Sequence, residues 1–248
     1  MGNVLKVVII IPTYNEARNI APLVEALHEQ FASIQHDMNI LVVDDNSPDG
    51  TADLVRKMQR KHPGRIHLNE RKGKLGLGTA YIHGFKWALK QDYQYIFEMD
   101  ADFSHDPKDL PRLLEACEVY GADLAIGSRY SKGVNVVNWP MSRVLLSYFA
   151  SKYVRLVTGM PIHDTTAGFK CYRRAVLEAI DFEKIRFVGY AFQIEMKYRT
   201  FAKGFVIKEI PVIFTDRTKG QSKMSGAIIK EAVFGVLALR IKKFFNQL

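Results

Sequence analysis

The segment YIFEMDADFSHDP, residues 95–107, contains an apolar run that ends in a cluster of acidic residues. Residues 95–99 have the length and composition of a buried strand. Asp100 and Asp102 follow directly and are spaced by two, so in an extended segment their carboxylates point to the same side. Acids in a loop are often no more than solvated charges. Two of them on one side of a strand end call for a more specific explanation.

The same pattern of apolar strand followed by helix extends in both directions from this segment. The predicted strands are 7–11, 40–43, 65–68, 95–99 and 124–126, and the predicted helices are 17–31, 48–61, 79–90 and 107–120. Strands that are apolar on both faces and alternate with helices indicate a mainly parallel sheet flanked by helices. The alternation stops after residue 130, and the remainder is expected to add to the same domain.

Polar residues follow three predicted strands, in the segments 13–16, 44–47 and 100–102. Ligands of parallel sheets bind beyond the carboxyl ends of the strands, so the three segments are expected to border one crevice. Carboxylates on one side of a crevice suit a hard divalent cation, which prefers oxygen ligands. Asp100 and Asp102 are therefore candidate metal ligands.

Two of these segments also have a purely structural interpretation. Thr13 and Glu16 fit a capping box, and Ser47 before Pro48 fits the start of a helix. An isolated Asp-x-Asp pattern occurs by chance in many chains. The metal hypothesis therefore depends on the position of the pattern at a strand end.

The net charge of +9 indicates an acidic partner, although a generally basic surface would explain it as well. Basic residues are frequent in the second half, and the segment TDRTKGQSK at 215–223 contains three of them. Each alone is most simply a solvated surface charge. Together with a metal held by aspartates, they match the requirements of a bound diphosphate.

Several longer motifs resemble the family 2 glycosyltransferases of GT-A fold, and within them the polyprenol-phosphate (dolichol-phosphate) mannose synthases. The similar segments are IIIPTYNEARNI at 9–20, VVDDNSPDGT at 42–51, KLGLGTAYIHG at 74–84, MDADFSHDP at 99–107, GSRY at 127–130, TTAGFKCYRR at 165–174, GYAFQIEM at 189–196 and EIPVIFTDRTKGQSKM at 209–224. The resemblance implies a single catalytic domain, residues 1–224, with a mixed, mainly parallel sheet. It also implies metal-dependent, inverting transfer of mannose from GDP-mannose to a polyprenyl monophosphate.

The resemblance assigns roles to individual residues of this chain. It implies that the nucleotide sugar is bound by Pro12, Tyr14, Glu16, Val43, Asp45, Asp100, Ala101, Asp102, Arg129, Arg217 and Lys223. It implies that the lipid phosphate is bound by Arg129, Arg143 and Ser147. Asp102 and Ser104 are expected to hold Mg²⁺ or Mn²⁺. The catalytic residues are expected to be Asp100, Asp102, Arg129, Arg217 and Lys223.

A polyprenol acceptor implies that the enzyme works at a membrane surface. Residues 141–159 and 225–248 both contain apolar positions at helical spacing, and the second segment is expected to form an amphipathic interfacial helix. Its uncharged run, 232–239, would span about 12 Å, against a hydrocarbon core of about 30 Å. Packing of either helix on the sheet as ordinary core is the competing interpretation. We expect a peripheral protein on the cytoplasmic face, without signal peptide or transmembrane helix, and a separate membrane subunit is a candidate partner.

Two other functions remain compatible with the sequence. One is a transferase of the same fold that uses UDP-glucose, UDP-N-acetylglucosamine or another acceptor. The other is a basic nucleic-acid-binding protein, which is disfavoured because the sequence has no RNP-type, helix-turn-helix or zinc motif. Nucleic acid is therefore not an expected partner.

Overall fold

The computed structural model describes residues 3–189, 191–216, 234–241 and 243 of the chain. The five predicted strands are present as β1 (Lys6–Thr13), β2 (Asp37–Asp44), β3 (Ile66–Glu70), β4 (Tyr93–Glu98) and β5 (Leu124–Ser128). The four predicted helices are α1 (Ile20–Phe31), α2 (Thr51–Lys61), α3 (Leu77–Leu89) and α4 (Leu110–Glu118). A short 3₁₀ turn, Pro107–Asp109, precedes α4. The predicted alternation is therefore confirmed, with small shifts at the element ends.

The chain beyond residue 130 adds further elements to the same unit. These are β6 (Val136–Val137), α5 (Met141–Thr158), β7 (Lys170–Arg173), α6 (Arg174–Ala179), α7 (Ala191–Ala202), β8 (Ile207–Pro211) and β9 (Phe214–Thr215). The seven-stranded sheet has the order β3-β2-β1-β4-β7-β5-β8. β7 pairs antiparallel with both β4 and β5, whereas the other pairs in this sheet are parallel. The expected mixed, mainly parallel single-domain sheet is confirmed.

The central strand β1 shows how the sheet divides the core into two layers. Val7 and Ile9 pack with α1, α2 and α4 on one face, whereas Val8 and Ile10 pack with α3 and α7 on the other. All four side chains are fully buried, as expected for a strand covered on both faces. Ile10 also meets α3 closely, because a Cβ on Gly84 would lie 2.6 Å from it.

The capping interpretations of the first two polar segments are wrong. α1 begins several residues after Glu16, and the Thr13 hydroxyl donates to Asp44 Oδ1 at 2.7 Å instead of capping a helix. α2 begins after Pro48, and the Ser47 hydroxyl also donates to Asp44 Oδ1, at 2.7 Å. The buried carboxylate of Asp44 thus accepts hydrogen bonds from both hydroxyl groups that the sequence pattern had assigned to helix ends.

No helix within the described ranges is both long enough and apolar enough to cross a membrane. Residues 234–241 are helical. Most of the predicted interfacial segment, 225–248, lies outside the described residues, so its role stays a prediction.

Candidate active site

A cavity of about 360 Å³ lies beyond the carboxyl ends of β4 and β5. Its polar lining includes Asp100, Asp102, Ser104, His105, Arg129, Arg143, Ser147 and Gln193. Helix α5 contributes Leu146, Phe149, Ala150, Tyr153 and Val154 to its apolar lining. Among the described residues that line it, none comes from the ends of β1 or β2. Of the three polar segments expected to border one crevice, the segment after β4 lines this cavity, whereas the segments after β1 and β2 do not.

The loop after β4 is held in a specific and unfavourable backbone conformation. Phe103 has a φ of 59°, which costs energy for a bulky side chain. This geometry lets the Ser104 amide donate to Asp102 Oδ1 at 3.1 Å and the Asp100 amide donate to His105 Nδ1 at 3.4 Å. Strain of this kind is retained most often at functional sites.

Asp100, the first of the two motif acids, lies in a poorly solvated environment. Burial raises the pKa of Asp100, opposed by His105 and reinforced by the charge of Asp102. Burial lowers the pKa of His105, opposed by the charges of Asp100 and Asp102. The Tyr81 hydroxyl donates to Asp100 Oδ1 at 3.0 Å. Neighbouring carboxylates repel each other, and a cation beside Asp102 would relieve this cost.

The oxygen atoms near Asp102 fit a divalent cation. The Ser104 hydroxyl is buried, lines the cavity and has no hydrogen-bond partner within the part of the chain that the structure describes. Within the described residues, no group of three His, Cys, Asp or Glu side chains could hold a metal on its own. Mg²⁺ and related ions often take one or two carboxylates from the protein and complete their shell with substrate phosphates and water. The residues present match this type of incomplete site.

Arg129 borders the cavity, but its guanidinium is already paired. Its Nε and Nη2 donate to the two oxygens of Asp164, each at 2.7 Å, and both side chains are almost fully buried. Burial alone would raise the pKa of Asp164, but the adjacent Arg129 holds it below its usual range. The pair is close to neutral, so Arg129 offers directed N–H groups to the cavity more than it offers net charge.

A second carboxylate, that of Glu209 on β8, fixes the loop that carries Asp164. Glu209 accepts hydrogen bonds from the Ser128 hydroxyl at 2.8 Å, the His163 amide at 2.7 Å and the Asp164 amide at 2.8 Å. Glu209 belongs to the motif at 209–224, and two of the residues that it contacts, His163 and Asp164, directly precede the motif at 165–174. Glu209 therefore positions Asp164, which in turn positions Arg129.

The two α5 residues assigned to the lipid phosphate, Arg143 and Ser147, both line the cavity. Arg143 lies one turn before Ser147 and pairs with Asp216 at 2.9 Å. Its guanidinium also stacks over Trp139, 4.0 Å from the ring centroid. Arg217 and Lys223 lie outside the described residues, so the structure has no bearing on them.

The residues assigned to the nucleotide lie at the ends of β1 and β2. Pro12 and Val43 are register partners, and the Lys74 ammonium lies 4.5 Å above the ring of Tyr14. The Glu16 carboxylate accepts from Asn19 at 2.7 Å.

The carboxylate of Asp45 is engaged within the protein. Arg71 donates to both of its oxygens, at 2.6 and 2.7 Å, and the Leu75 amide lies 3.3 Å away. A nucleotide would therefore meet Asp45 as part of an ion pair.

Sequence reasoning missed a buried polar network that includes the cavity residue Gln193. Lys170 forms an ion pair with Glu98 at 2.9 Å and donates to Gln193. The Tyr172 hydroxyl also donates to Glu98, at 2.9 Å. Burial lowers the pKa of Lys170, partly offset by Glu98. A glutamate inside an otherwise apolar strand was the available signal, because a buried charge requires a partner.

Comparison with known proteins agrees with this geometry. The model of the glycosyl transferase family 2 matches residues 8–181. The chain belongs to this family. It is therefore a glycosyltransferase, as the motifs predicted.

Two curated relatives are similar over nearly the whole chain. The polyprenol monophosphomannose synthase of Mycolicibacterium smegmatis is 48% identical, over 93% of this chain and 85% of that protein. The undecaprenyl-phosphate mannosyltransferase of Micrococcus luteus is 45% identical, over 94% of this chain and 93% of that protein. These names support the predicted resemblance to polyprenol-phosphate mannose synthases.

Solved structures with low sequence identity share the fold. Mannosyl-3-phosphoglycerate synthase from Rubrobacter xylanophilus has a TM-score of 0.71 at 18% identity, covering 98% of this chain and 76% of that chain. Glucosyl-3-phosphoglycerate synthase from Mycobacterium tuberculosis, in complex with Mn²⁺, UDP and its product, has a TM-score of 0.67 at 16% identity, covering 96% and 80%. At these identities the likeness shows the GT-A fold alone.

Proposed function

We propose that this glycosyltransferase transfers mannose from GDP-mannose to a polyprenyl monophosphate, with inversion at the sugar carbon and with Mg²⁺ or Mn²⁺ as cofactor. The observation that carries this proposal is the mixed lining of the cavity. Carboxylates, arginines and hydroxyls line it together with apolar side chains of α5. An acceptor with a phosphate head and a hydrocarbon chain requires both kinds of side chain. The names of the two similar relatives favour the same acceptor class.

The metal would be held by Asp102, with the Ser104 hydroxyl as a second oxygen. When bound, the cation neutralises diphosphate charge and thereby stabilises the leaving group. Ser104 has the free lone pairs that this role needs, since its hydroxyl has no recorded partner. The diphosphate would lie above the loop of Asp100, Ala101 and Asp102. The guanosine would then extend toward Pro12, Tyr14, Glu16, Val43 and Asp45.

The lipid phosphate would be bound by Arg143 and Ser147 of α5, together with Arg129. Asp216 is already paired with Arg143, so the phosphate has to share or replace this carboxylate. Arg217 and Lys223 are proposed to bind the donor diphosphate.

No general base is needed in this reaction, because the acceptor phosphate is an anion at neutral pH. Its oxygen attacks the sugar carbon, and the bond to the diphosphate breaks with its electron pair leaving on GDP. The protein has to hold two anionic groups together. Two unit charges 4 Å apart repel by about 4 kcal/mol at an effective dielectric of 20.

The membrane surface would be reached through α5. Five large apolar side chains of this helix are exposed, namely Met141, Leu145, Leu146, Phe149 and Leu156. In the helical segment 234–241, Phe234 and Ile241 are also exposed. We propose that these residues enter the interfacial region on the cytoplasmic face, with residues 225–248 as the interfacial helix.

The test is a transfer assay with purified protein, Mg²⁺, a short polyprenyl phosphate and radiolabelled donors. GDP-mannose should give label in the organic phase, and EDTA should abolish it. UDP-glucose and UDP-N-acetylglucosamine serve as competing donors. Label from a uridine donor but not from GDP-mannose would contradict the proposed donor, and unchanged transfer in EDTA would contradict the metal.

A further inference from the structure

The amide of Gln193 on α7 is fixed in one orientation at the cavity wall. Its Oε1 accepts from Lys170, and its Nε2 donates to Glu98 Oε2 at 2.9 Å. A lysine ammonium can only donate and a carboxylate can only accept, so the flipped amide would satisfy neither contact. The side chain is 2% exposed. Its nitrogen carries a second hydrogen, for which the described residues supply no recorded acceptor.

Three groups converge on a small space above Gly168. From the position of a Cβ on this glycine, Asp100 Oδ2 and His105 Cε1 are each 3.5 Å away, and Gln193 Nε2 is 3.9 Å away. All four residues line the cavity. Asp100 Oδ1 already accepts from Tyr81, which leaves Oδ2 facing this space. A hydrogen-bond donor and an acceptor therefore lie on either side of a bare glycine backbone.

This arrangement suits a hydroxyl group. A hydroxyl can donate to the Asp100 carboxylate and accept from the Gln193 amide at the same time. A phosphate could not take this position favourably, because its charge would repel that of Asp100.

The order of the strands indicates which hydroxyl is involved. The proposed nucleotide positions lie at the ends of β1 and β2, on one side of β4 in the sheet. Gly168 directly precedes Phe169 and β7, the neighbour of β4 on the other side. The acceptor positions on α5 line the same cavity. The space above Gly168 thus lies on the side of β4 away from the proposed nucleotide positions, in the cavity that the acceptor positions also line.

We propose that Gln193, Gly168 and Asp100 form a subsite for a hydroxyl of the donor's sugar, with Glu98 and Lys170 as positioning residues that orient the Gln193 amide. This inference rests on the proposed function. It adds the part of the site that recognises the hexose, whereas the metal and the phosphate-binding residues recognise the diphosphate and the acceptor.

The first experiment removes the hydroxyl space without removing a contact of the fold. Gly168→Ala places a methyl group at ordinary van der Waals distance from its neighbours, so the protein should fold normally. Affinity for GDP should be unchanged, while affinity for GDP-mannose should fall by about 10- to 100-fold, the value of a hydrogen bond to a charged group. Gly189→Ala is the matched control, because no atom lies within 4 Å of its Cβ position. Equal affinity of the Gly168→Ala variant for both ligands would overturn the subsite.

The second experiment pairs a residue change with deletion of single hydroxyls. Gln193→Met keeps the size of the side chain and leaves the Glu98–Lys170 pair in place. kcat/KM is measured for GDP-mannose and for its donors deoxygenated at C2, C3, C4 or C6 of the mannose. With the unaltered enzyme, kcat/KM for one of these deoxy donors should be about 10- to 100-fold lower than for GDP-mannose. With Gln193→Met, kcat/KM for that deoxy donor and for GDP-mannose should be almost equal. If Gln193 had only a structural role, Gln193→Met would lower kcat/KM for all donors by the same factor, and this result would contradict the proposal.

Two further arms separate this inference from its alternatives. Coupling of Gln193 to the 2′- or 3′-hydroxyl of the ribose, instead of the mannose, would assign the space to the nucleotide and overturn the sugar subsite. If the unaltered protein turns over UDP-glucose and not GDP-mannose, the proposed donor is wrong. The subsite is then judged by the same coupling measured with UDP-glucose and its deoxy analogues, where additive effects would overturn it.

Discussion

The acids that follow β2 and β4 look alike in the sequence but have different environments in the structure. Asp44 accepts from Thr13 and from the Ser47 hydroxyl and amide, all within 2.8 Å. The next residue, Asp45, forms an ion pair with Arg71. At the end of β4, by contrast, Asp102 borders the cavity beside the Ser104 hydroxyl, which has no hydrogen-bond partner among the described residues. Similar acidic motifs can therefore hold a loop together or border a ligand cavity, and their surroundings decide which.

The largest difference between the two acids should appear in activity. Asp102→Asn is expected to lower transfer by about 10³-fold or more at saturating Mg²⁺, because a neutral amide is a poor ligand for a hard cation. The free energy of unfolding should change little. Asp106→Asn, an exposed acid of the same segment, is the control and should keep normal transfer. Normal turnover of Asp102→Asn would remove this residue from the metal site.

Asp164 tests whether filled oxygens or location decide the role of an acid. It lies next to Arg129, which lines the cavity, and both of its oxygens accept hydrogen bonds from that arginine. Asp164→Asn should lower the free energy of unfolding by about 3 kcal/mol at pH 7, because it leaves a buried guanidinium without its charge partner.

The pH dependence of stability gives a second measurement on Asp164. The pKa of Asp164 is lower in the folded protein than in the unfolded chain, so the unfolded chain binds more protons. Its contribution is complete above about pH 4, the unfolded value, and is lost as pH falls through the folded value. Denaturation curves should therefore converge for the unaltered protein and Asp164→Asn in acid. A gap that is constant down to pH 2.5 would contradict this assignment.

The β2 acid should show the opposite balance from Asp102. Asp44→Ala should lower the free energy of unfolding by about 2 kcal/mol, because the Thr13 and Ser47 donors lose their buried acceptor. Metal dependence of transfer, measured as the Mg²⁺ concentration for half-maximal rate, should be unchanged. A shifted Mg²⁺ requirement with normal stability would erase the distinction between the two strand ends.

The smallest expected effect concerns the exposed apolar side chains of α5. Leu156 on α5 is 86% exposed, and Leu156→Ser should weaken binding to anionic lipid vesicles by about 5-fold, or about 1 kcal/mol. Val119→Ser, at an exposed position beyond α4, is the matched control and should bind vesicles normally. Equal vesicle binding by both variants and the unaltered protein would exclude this face of α5 from the membrane contact.

The sequence alone determined the sheet-forming half of the chain and the position of the motif acids. Strands that are apolar on both faces have few alternatives to a covered parallel sheet, and the topology then places Asp100 and Asp102 at the ligand-binding edge. The resemblance added Arg143 and Ser147, which the structure brings to the cavity. These features depend on periodicity and on local motifs, which can be read along the chain.

The tertiary structure decided which polar groups face the cavity and which are used by the fold. Thr13 and Ser47 satisfy helix-capping patterns, but a buried acceptor thirty-one residues away from Thr13 offered a better hydrogen bond. Gln193 became a candidate for sugar recognition only through Glu98, a partner 95 residues away. Hydrogen bonds and ion pairs of this range depend on distance and orientation in three dimensions. A local pattern contains the donors and acceptors, but not the information about which of them meet.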